Sequence, residues 1–378
     1  MFDCIIVGAG PAGGSAAYHL AKKRHSVLVL EKESLPRYKP CAGGVSPAIA
    51  QWFDFDFSPA ISQKVNQLRY TWEGSDPVEV TLNNPEPMWM VRRDVFDQFL
   101  IEQAKNQGAQ VKDNSAVTAV EFNGDRFSVK TSSETLEARY IIAADGARGP
   151  MRKLLGFKDG ELHPAVALEV PLPKGADPNA PKIQFDFGKI KKGFIWNFPK
   201  ADGLSLAIAD LQGKGKEDLS KMLTQYATAS GYDVNPNHCA TDSLRLWNGE
   251  QKLHTENAIL AGEAAAVVDP LTAEGIRPSM FSGVKAAEAI DRALSGSANA
   301  LENYTQVMNE EWGGQMVWAS RVAGLFYKIP KIAYKVGVKR PAATQSMADV
   351  LCGDTNYSDI ADKAISRLKK NLIPGFGG

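Results

Sequence analysis

Residues 3–31 constrain the fold of this chain more than any other stretch. An apolar run at 4–7 has the length and β-branched content of a buried parallel strand. The turn G-A-G-P-A-G at 8–13 follows directly, and a helix-like stretch at 15–23 leads to a second apolar strand at 27–30. This order predicts the first βαβ unit of a Rossmann-like, dinucleotide-binding domain.

Each part of this unit has a chemical reason. Gly8 allows a sharp turn, Gly10 lets backbone N–H groups approach a pyrophosphate, and Gly13 lets the helix pack on the strand. The helix N-terminus offers unpaired N–H donors and a favourable dipole to phosphate charge. Glu31 ends the second strand and is placed to accept hydrogen bonds from adenosine ribose hydroxyls. The motif alone does not distinguish FAD from NAD.

The composition narrows the class of protein. Lys and Arg number 43 and Asp and Glu 43 among 378 residues, so net charge gives no sign of nucleic-acid binding. The four cysteines and five histidines show no metal, disulfide or triad spacing. No apolar run reaches about 18 residues, and the first strand begins at residue 2 or 3, so we expect no membrane span and no signal peptide. These features predict a cytoplasmic protein that is soluble or at most peripheral on a membrane.

Apolar strands and turn signals divide the chain into interleaved parts. The predicted fold class is α/β, with a Rossmann-like domain, an inserted and mostly antiparallel β domain, and a C-terminal helical region. The expected boundaries are 1–64, 92–160 and 251–299 for the discontinuous nucleotide domain, 65–91 and 161–250 for the β domain, and 300–378 for the helical region.

Six ordered motifs carry a resemblance to a known family over about residues 1–330. They are G-A-G-P-A-G (8–13) with Glu31, P-R-Y-K-P-C-A-G-G (36–44), R-x-x-F-D (93–97), A-D-G-A-R (144–148), G-F-I-W-N-F-P-K (193–200) and G-E-A-A-x-x-x-D-P-L-T-x-E-G-I (262–276). The chain resembles FAD-dependent flavoproteins of the para-hydroxybenzoate hydroxylase class and, within it, the geranylgeranyl reductase family. The cysteine loop and the aromatic strand are the specific signals, and the other motifs mark the wider class.

The resemblance implies FAD as the cofactor and NAD(P)H or a small electron carrier as the donor. The residues expected to bind FAD are Gly8, Gly10, Pro11, Ala12, Gly13, Glu31, Lys32, Cys41, Ala42, Arg93, Val117, Asp145, Gly146, Glu263, Pro270, Gly275 and Ile276. Two positions depart from the family pattern. Glu263 stands where the family usually has Asp, which makes ribityl contact less direct, and Ala42 stands where it usually has Gly, which adds a Cβ near the flavin.

Several of these residues have two interpretations. Arg93 is suited to pair with the pyrophosphate or ribityl oxygens, or forms a surface salt bridge on a helix. Asp145 follows a buried strand, and it either bridges flavin and donor or caps the next turn. Pro270 is expected to lie against the isoalloxazine ring, while N–H groups of Gly275 and Ile276 at a helix N-terminus favour an anionic reduced flavin.

Cys41 is the candidate catalytic residue. A thiol in a rigid loop facing the flavin is suited to gate the site, contact a substrate alkene or help to deliver a proton. The alternative is a small buried hydrophobic residue. Phe194, Trp196 and Phe198 alternate along one strand, and they either pack in the core or line a channel for an isoprenoid substrate.

Residues 312–340 mix aromatic and basic side chains. They are expected either to lie at a lipid surface or to form helices packed on the body with a solvated basic face.

The resemblance implies a reductase of isolated C=C bonds in a polyprenyl chain, with hydride from flavin N5. The alternatives are a flavin monooxygenase or halogenase that uses O2 on an apolar or aromatic substrate, and a flavin-binding assembly factor without turnover.

Overall fold

The structure is a computed structural model that describes residues 1–83, 85–172, 181–213 and 215–360. The strands are β1 (Phe2–Val7), β2 (Val27–Leu30), β3 (Gly44–Val45), β4 (Gln63–Val65), β5 (Gln67–Trp72), β6 (Ser75–Thr81), β7 (Met88–Met90), β8 (Gln110–Lys112), β9 (Val117–Phe122), β10 (Phe127–Thr131), β11 (Thr135–Ala143), β12 (His163–Pro171), β13 (Ile183–Phe187), β14 (Gly193–Lys200), β15 (Gly203–Asp210), β16 (Ala240–Leu244), β17 (His254–Thr255) and β18 (Ala258–Leu260). The α-helices are α1 (Pro11–Lys22), α2 (Arg93–Asn106), α3 (Met151–Leu154), α4 (Leu219–Ala229), α5 (Ile276–Leu294), α6 (Ala300–Val307), α7 (Gly314–Lys328), α8 (Pro330–Ala333) and α9 (Pro341–Cys352).

Eight strands form the nucleotide sheet. Its strand order is β17-β18-β11-β1-β2-β8, with β10 and β9 added beside β11. β18, β11, β1, β2 and β8 run parallel. The parallel strands β1 and β2 are apolar along most of their length because helices cover them, and α1 packs against both α2 and α5. The sheet therefore presents the carboxyl ends of its parallel strands along one edge, where ligands bind in open α/β sheets.

Seven strands form the insert sheet, in the order β16-β12-β15-β14-β13-β5-β6. All neighbours are antiparallel except β13 and β5. Side chains alternate between two faces along β14, so Trp196 lies in one apolar cluster and Ile195 in the cluster that packs on α4. The Trp196 face is therefore the one that α4 does not cover.

A third, small sheet has the strand order β3-β7-β4. The C-terminal helical region packs on the Trp196 face of the insert sheet through Met316, Tyr327 and Tyr334. Two segments of this region, Met308–Gly313 and Tyr334–Val338, are π-helical. The insert sheet is thus covered on both faces, by α4 on one and by the C-terminal helices on the other.

The predicted fold class is confirmed by this architecture. Residues 300–352 are largely helical, as expected. The part of the predicted helical region at 361–378 lies outside the described residues. Within the described ranges, no helix combines the length and apolar character needed to cross a bilayer.

Candidate FAD and substrate site

A cavity of about 520 Å³ opens at the carboxyl ends of β1, β2 and β11. Its walls at this end include Gly8 and Glu31, which follow directly on β1 and β2, and Asp145, which lies two residues after the end of β11. The cavity extends from there to the Trp196 face of the insert sheet. One continuous space therefore connects a dinucleotide-type strand edge with an apolar wall.

The glycine turn forms a close-packed cradle at the start of α1. A Cβ on Gly13 would lie 1.9 Å from the carbonyl oxygen of Gly8, so only glycine allows this helix to pack on this turn. Gly8, Gly10, Pro11 and Ala12 line the cavity, whereas Gly13 lies behind them. The backbone at the helix N-terminus is therefore accessible to a phosphate group, as anion binding at this position requires.

Two arginines meet beside Gly10. Arg93 donates to both Asp97 oxygens at 2.8 Å, and Arg37 donates to Asp97 at 3.0 Å. A Cβ on Gly10 would lie 3.8 Å from Arg37 Nη2 and 3.9 Å from Arg93 Nη2. Burial opposes the charge on Arg93, but the neighbouring Asp97 carboxylate outweighs it and raises the pKa of Arg93. Two permanent cations thus flank the cradle, which suits a pyrophosphate.

Glu31 lies at the end of the cavity expected for the adenosine. It accepts a hydrogen bond from the Ala9 N–H at 2.9 Å and pairs with Arg37 at 3.3 Å. Lys32 and Val117 also line this end. The carboxylate is held in place by these contacts before any ligand binds, which is the preorganisation that ribose recognition needs.

Asp145 performs one of its two predicted roles and is free for the other. Its Oδ2 accepts the Met151 N–H at 2.8 Å at the start of α3, which is a capping contact. Its Oδ1 is buried and has no hydrogen-bond partner among the described residues. Burial raises the pKa of Asp145 to about 6. A buried polar atom without a partner at the edge of the cavity fits a bound group that supplies the missing contact.

Glu263 and the N-terminus of α5 form the neighbouring wall. The Glu263 carboxylate reaches between Gly146 and Gly275, with oxygens about 4 Å from the Cβ that each glycine would carry. Burial raises the pKa of Glu263. Gly275 and Ile276 line the cavity where α5 begins. Contact of these residues with the ribityl chain and the flavin ring stays a prediction.

Pro270 does not line the cavity, although the sequence predicted that it would lie against the ring. The Asp269 carboxylate binds the N–H groups of Leu271 and Thr272, which makes a turn that buries Pro270. Thr272, Ala273 and Glu274 face the cavity in its place.

The cysteine loop lies where the nucleotide end of the cavity meets the apolar end. Cys41 and Ala42 both line the cavity, and the Cys41 side chain lies next to the Arg93 guanidinium. Lys200, the last residue of β14, donates to the Ala42 carbonyl. Burial lowers the pKa of Lys200 to about 8. The insert sheet therefore holds the loop through a buried ammonium group.

The apolar end is lined by the Trp196 face of the insert sheet and by apolar residues of neighbouring segments. Its walls come from Leu68, Leu82, Met88, Ile183, Phe185, Trp196, Phe198 and Leu351. Phe194 shares the face but lies behind Trp196, with 4.4 Å between the ring centroids, and does not line the cavity. Of the three predicted substrate residues, the structure thus brings Trp196 and Phe198 to the cavity.

Known proteins resemble this chain in sequence and in fold. Residues 1–173 match the family described as an FAD binding domain. An uncharacterized protein of Methanosarcina barkeri is 32% identical over 295 residues, which cover 78% of this chain and 75% of the relative. A digeranylgeranylglycerophospholipid reductase of Methanococcus vannielii is 26% identical over 334 residues, which cover 82% of each. The chain belongs to the geranylgeranyl reductase family of FAD-dependent oxidoreductases.

Solved structures show that this reductase-family protein shares its fold with several flavoproteins. A geranylgeranyl bacteriochlorophyll reductase-like protein from Thermoplasma acidophilum superposes with a TM-score of 0.76 at 21% identity, over 93% of this chain and 91% of that one. A flavin-dependent brominase has a TM-score of 0.72 at 19% identity, over 98% and 99%. The fold is therefore common to reductases and halogenating enzymes, and the chemistry must be argued from the site.

FAD is the cofactor of this family member, and the residues at the cavity fit it. The cradle beside Gly10 offers helix N–H groups and two guanidinium groups to a pyrophosphate, and one Asp145 oxygen has no hydrogen-bond partner in the described part of the chain. Three contributors were missed from the sequence: Arg37, Lys200 and Thr272. All three are part of the quoted motifs, and the charges of Arg37 and Lys200 were the available signal.

Proposed function

We propose that this protein reduces C=C bonds in a polyprenyl chain of the geranylgeranyl type. The printed name of the Methanococcus vannielii relative supports a prenyl lipid as the class of substrate. The cavity supports it independently, because an isoprenoid offers almost no polar groups and must be held by apolar walls.

The proposal depends on one observation: the nucleotide end and the apolar end of the cavity meet at the cysteine loop. The cysteine loop lies between the cradle beside Gly10 and the wall formed by Trp196 and Phe198, and all three line one continuous cavity. A long apolar chain that lay along this wall would bring a double bond to the same junction. An isolated alkene is a poor electrophile, so catalysis must come mainly from positioning it in a dry site.

The side chains have distinct tasks in this proposal. When bound, FAD would supply the hydride chemistry, with NAD(P)H or a small electron carrier as the source of electrons. Trp196 and Phe198 hold the chain and exclude water. The N–H groups at the start of α5 favour negative charge on the group they face. Cys41 contacts the alkene or helps to deliver a proton to its second carbon.

Anaerobic turnover tests the proposal. The holoenzyme is reduced, mixed with geranylgeranyl diphosphate, geranylgeraniol or a geranylgeranyl lipid extract, and followed by flavin absorbance and product mass. We expect flavin reoxidation with a product that has gained one pair of hydrogens for each bond reduced. Trp196→Leu should slow reoxidation, whereas Phe194→Leu, on the same strand but outside the cavity, should not.

The two alternative functions, an oxygen-using enzyme and a flavin-binding protein without turnover, give different results in the same assay. Reoxidation only by O2, with a hydroxylated or halogenated product, would establish oxygen chemistry and reject the reductase. Bound FAD that neither nicotinamide nor a reduced carrier can reduce would indicate a binding protein without turnover.

A further inference from the structure

An exposed apolar stripe runs along the C-terminal helical region. Of nine large apolar side chains that are exposed in the described part of the chain, five lie within 15 residues. Leu325 is 63% exposed and Ile332 is 58% exposed. The members recur at three- and four-residue spacing across a helix break: Val322 and Leu325 in α7, Ile329 at the break where α7 ends, Ile332 in α8, and Val336 in the π-helical segment. Contiguous exposed apolar surface of this kind marks an interaction site.

The opposite side of the same segment is already packed. Ala323, Tyr327 and Tyr334 are buried against the insert sheet. The Tyr334 hydroxyl donates to the carbonyls of Tyr70 and Asp76, and the Phe326 ring lies 5.2 Å from that of Phe187. The helices therefore contact the insert sheet through a different set of side chains, and the stripe is not needed for that contact.

Positive charge accompanies the stripe. Residues 312–348 contain six Lys or Arg and no Asp or Glu, in a chain with no net charge. Within the described residues, Lys339 forms an ion pair with Asp76, while no ion pair is formed by the five other cations: Arg321, Lys328, Lys331, Lys335 and Arg340. Arg321 stacks on Trp318 at 4.8 Å, a pair that has an apolar body and a charged end.

These two features together select the partner. An apolar strip beside a row of cations fits the boundary between the acyl chains and the headgroups of an anionic bilayer. A second copy of this chain fits poorly, because contact between two stripes would bring six cations from each copy together.

We infer that the face formed by residues 321–340 docks this enzyme on an anionic lipid surface. The stripe enters the acyl boundary, and the cations lie among the headgroup phosphates. The buried side of the same segment belongs to the apolar cluster that contains Trp196 and Phe198. Docking would thus place the apolar end of the cavity near the membrane. The inference goes beyond the proposed reaction, and vesicle binding can be measured without turnover.

Vesicle flotation of the holoenzyme tests the inference. The probes are phosphatidylcholine vesicles and vesicles in which about one-third of the lipid is phosphatidylglycerol. We expect binding to the anionic vesicles that weakens as salt is raised. Leu325→Asp and Ile332→Asp should each weaken partitioning about tenfold or more, because a charge replaces an apolar side chain that would enter the acyl boundary. The control is Val95→Asp, at an exposed position in the first turn of α2, which should bind as wild type.

The results separate docking from folding and from chemistry. FAD absorbance and melting temperature should be unchanged in all three variants, since each position is exposed. Turnover with water-soluble geranylgeranyl diphosphate should persist in the stripe variants, so loss of vesicle binding is independent of whether the proposed reaction is correct. The inference is overturned if wild type does not float with anionic vesicles, binds both compositions equally, or binds as well after Leu325→Asp. A wild-type dimer that Leu325→Asp makes monomeric, without vesicle binding, would also overturn it.

Discussion

Lys200 shows how one buried charge connects the insert sheet to the cysteine loop. The side chain is 2% exposed, ends β14, and donates to the carbonyl of Ala42 in the cysteine loop. Glu169 lies nearby and favours the charged ammonium, although burial lowers the pKa of Lys200. The Cys41 loop therefore depends on a residue of the insert sheet for its position.

Replacing Lys200 should disturb the cysteine loop more than the fold. Lys200→Met removes the donor and leaves the Ala42 carbonyl unpaired, which costs about 1–3 kcal/mol of unfolding free energy. We expect a lower rate of flavin reoxidation by substrate as well, because Cys41 is the next residue. Urea unfolding and anaerobic stopped-flow absorbance measure the two effects. An unchanged rate in the Met variant would show that the loop keeps its position without this contact.

The raised pKa of Asp145 predicts a pH-dependent stability. The native state holds this proton more tightly than the unfolded chain, because burial raises the pKa to about 6 from an ordinary value near 4. The resulting stabilisation is complete below the unfolded pKa and is lost as pH rises through 6. In FAD-free protein, Asp145→Asn should therefore gain stability relative to wild type between pH 4 and 7, by at most about 3 kcal/mol.

Urea unfolding at several pH values measures this gain. The control is Asp125→Asn, whose exposed carboxylate has its pKa lowered by a hydrogen bond from Arg126 and should show no such gain. An equal difference between Asp145→Asn and wild type at pH 4 and pH 7 would contradict the predicted proton linkage.

Local residue patterns predicted the phosphate cradle at the glycine turn, but they did not predict that Arg37 and Arg93 would meet beside it. The glycine turn and Glu31 lie within one βαβ unit, so their spacing alone determines their geometry. Arg37 and Arg93 meet because Asp97 binds both, and Arg37 is 60 residues away from Asp97 in sequence. Pro270 does not line the cavity, and the turn made by the Asp269 carboxylate, which buries it, is not visible in the motif.

The C-terminal helices hold the loop that precedes α5. The Tyr357 hydroxyl donates to Asp269 at 2.6 Å, and Arg277 donates to the Val350 carbonyl at 3.3 Å. These contacts could not be predicted from sequence, since periodicity identifies a helix but not the loop on which it packs. Through these contacts residues 300–360 support the wall of the cavity, a role that no sequence motif predicted for this region.

Loss of the Tyr357 hydroxyl should weaken FAD binding. Tyr357→Phe leaves one Asp269 oxygen without this donor and loosens the turn that brings Thr272 and Ala273 to the cavity. We expect a loss of about 1 kcal/mol in stability and a weaker FAD affinity. Tyr334→Phe is the matched control, because it also removes a buried hydroxyl but on the insert sheet. Thermal unfolding and FAD titration by fluorescence separate the two variants; equal FAD affinities would contradict a role for Tyr357 in the loop.

At the scale of the whole molecule, the cavity lies between the two large sheets, so its ligand should stabilise the native state. A ligand that binds only folded protein adds about 2.7 kcal/mol to the unfolding free energy at a free concentration of 100 times its Kd.

The cradle beside Gly10, with Arg37 and Arg93, predicts that most of the affinity for FAD depends on its pyrophosphate. Riboflavin, which lacks the pyrophosphate and adenosine, should therefore raise the melting temperature far less than FAD at the same concentration, whereas ADP should retain part of the effect. Differential scanning fluorimetry of FAD-free protein with each compound measures this order. Equal stabilisation by riboflavin and FAD would show that the ring, rather than the phosphate cradle, dominates binding.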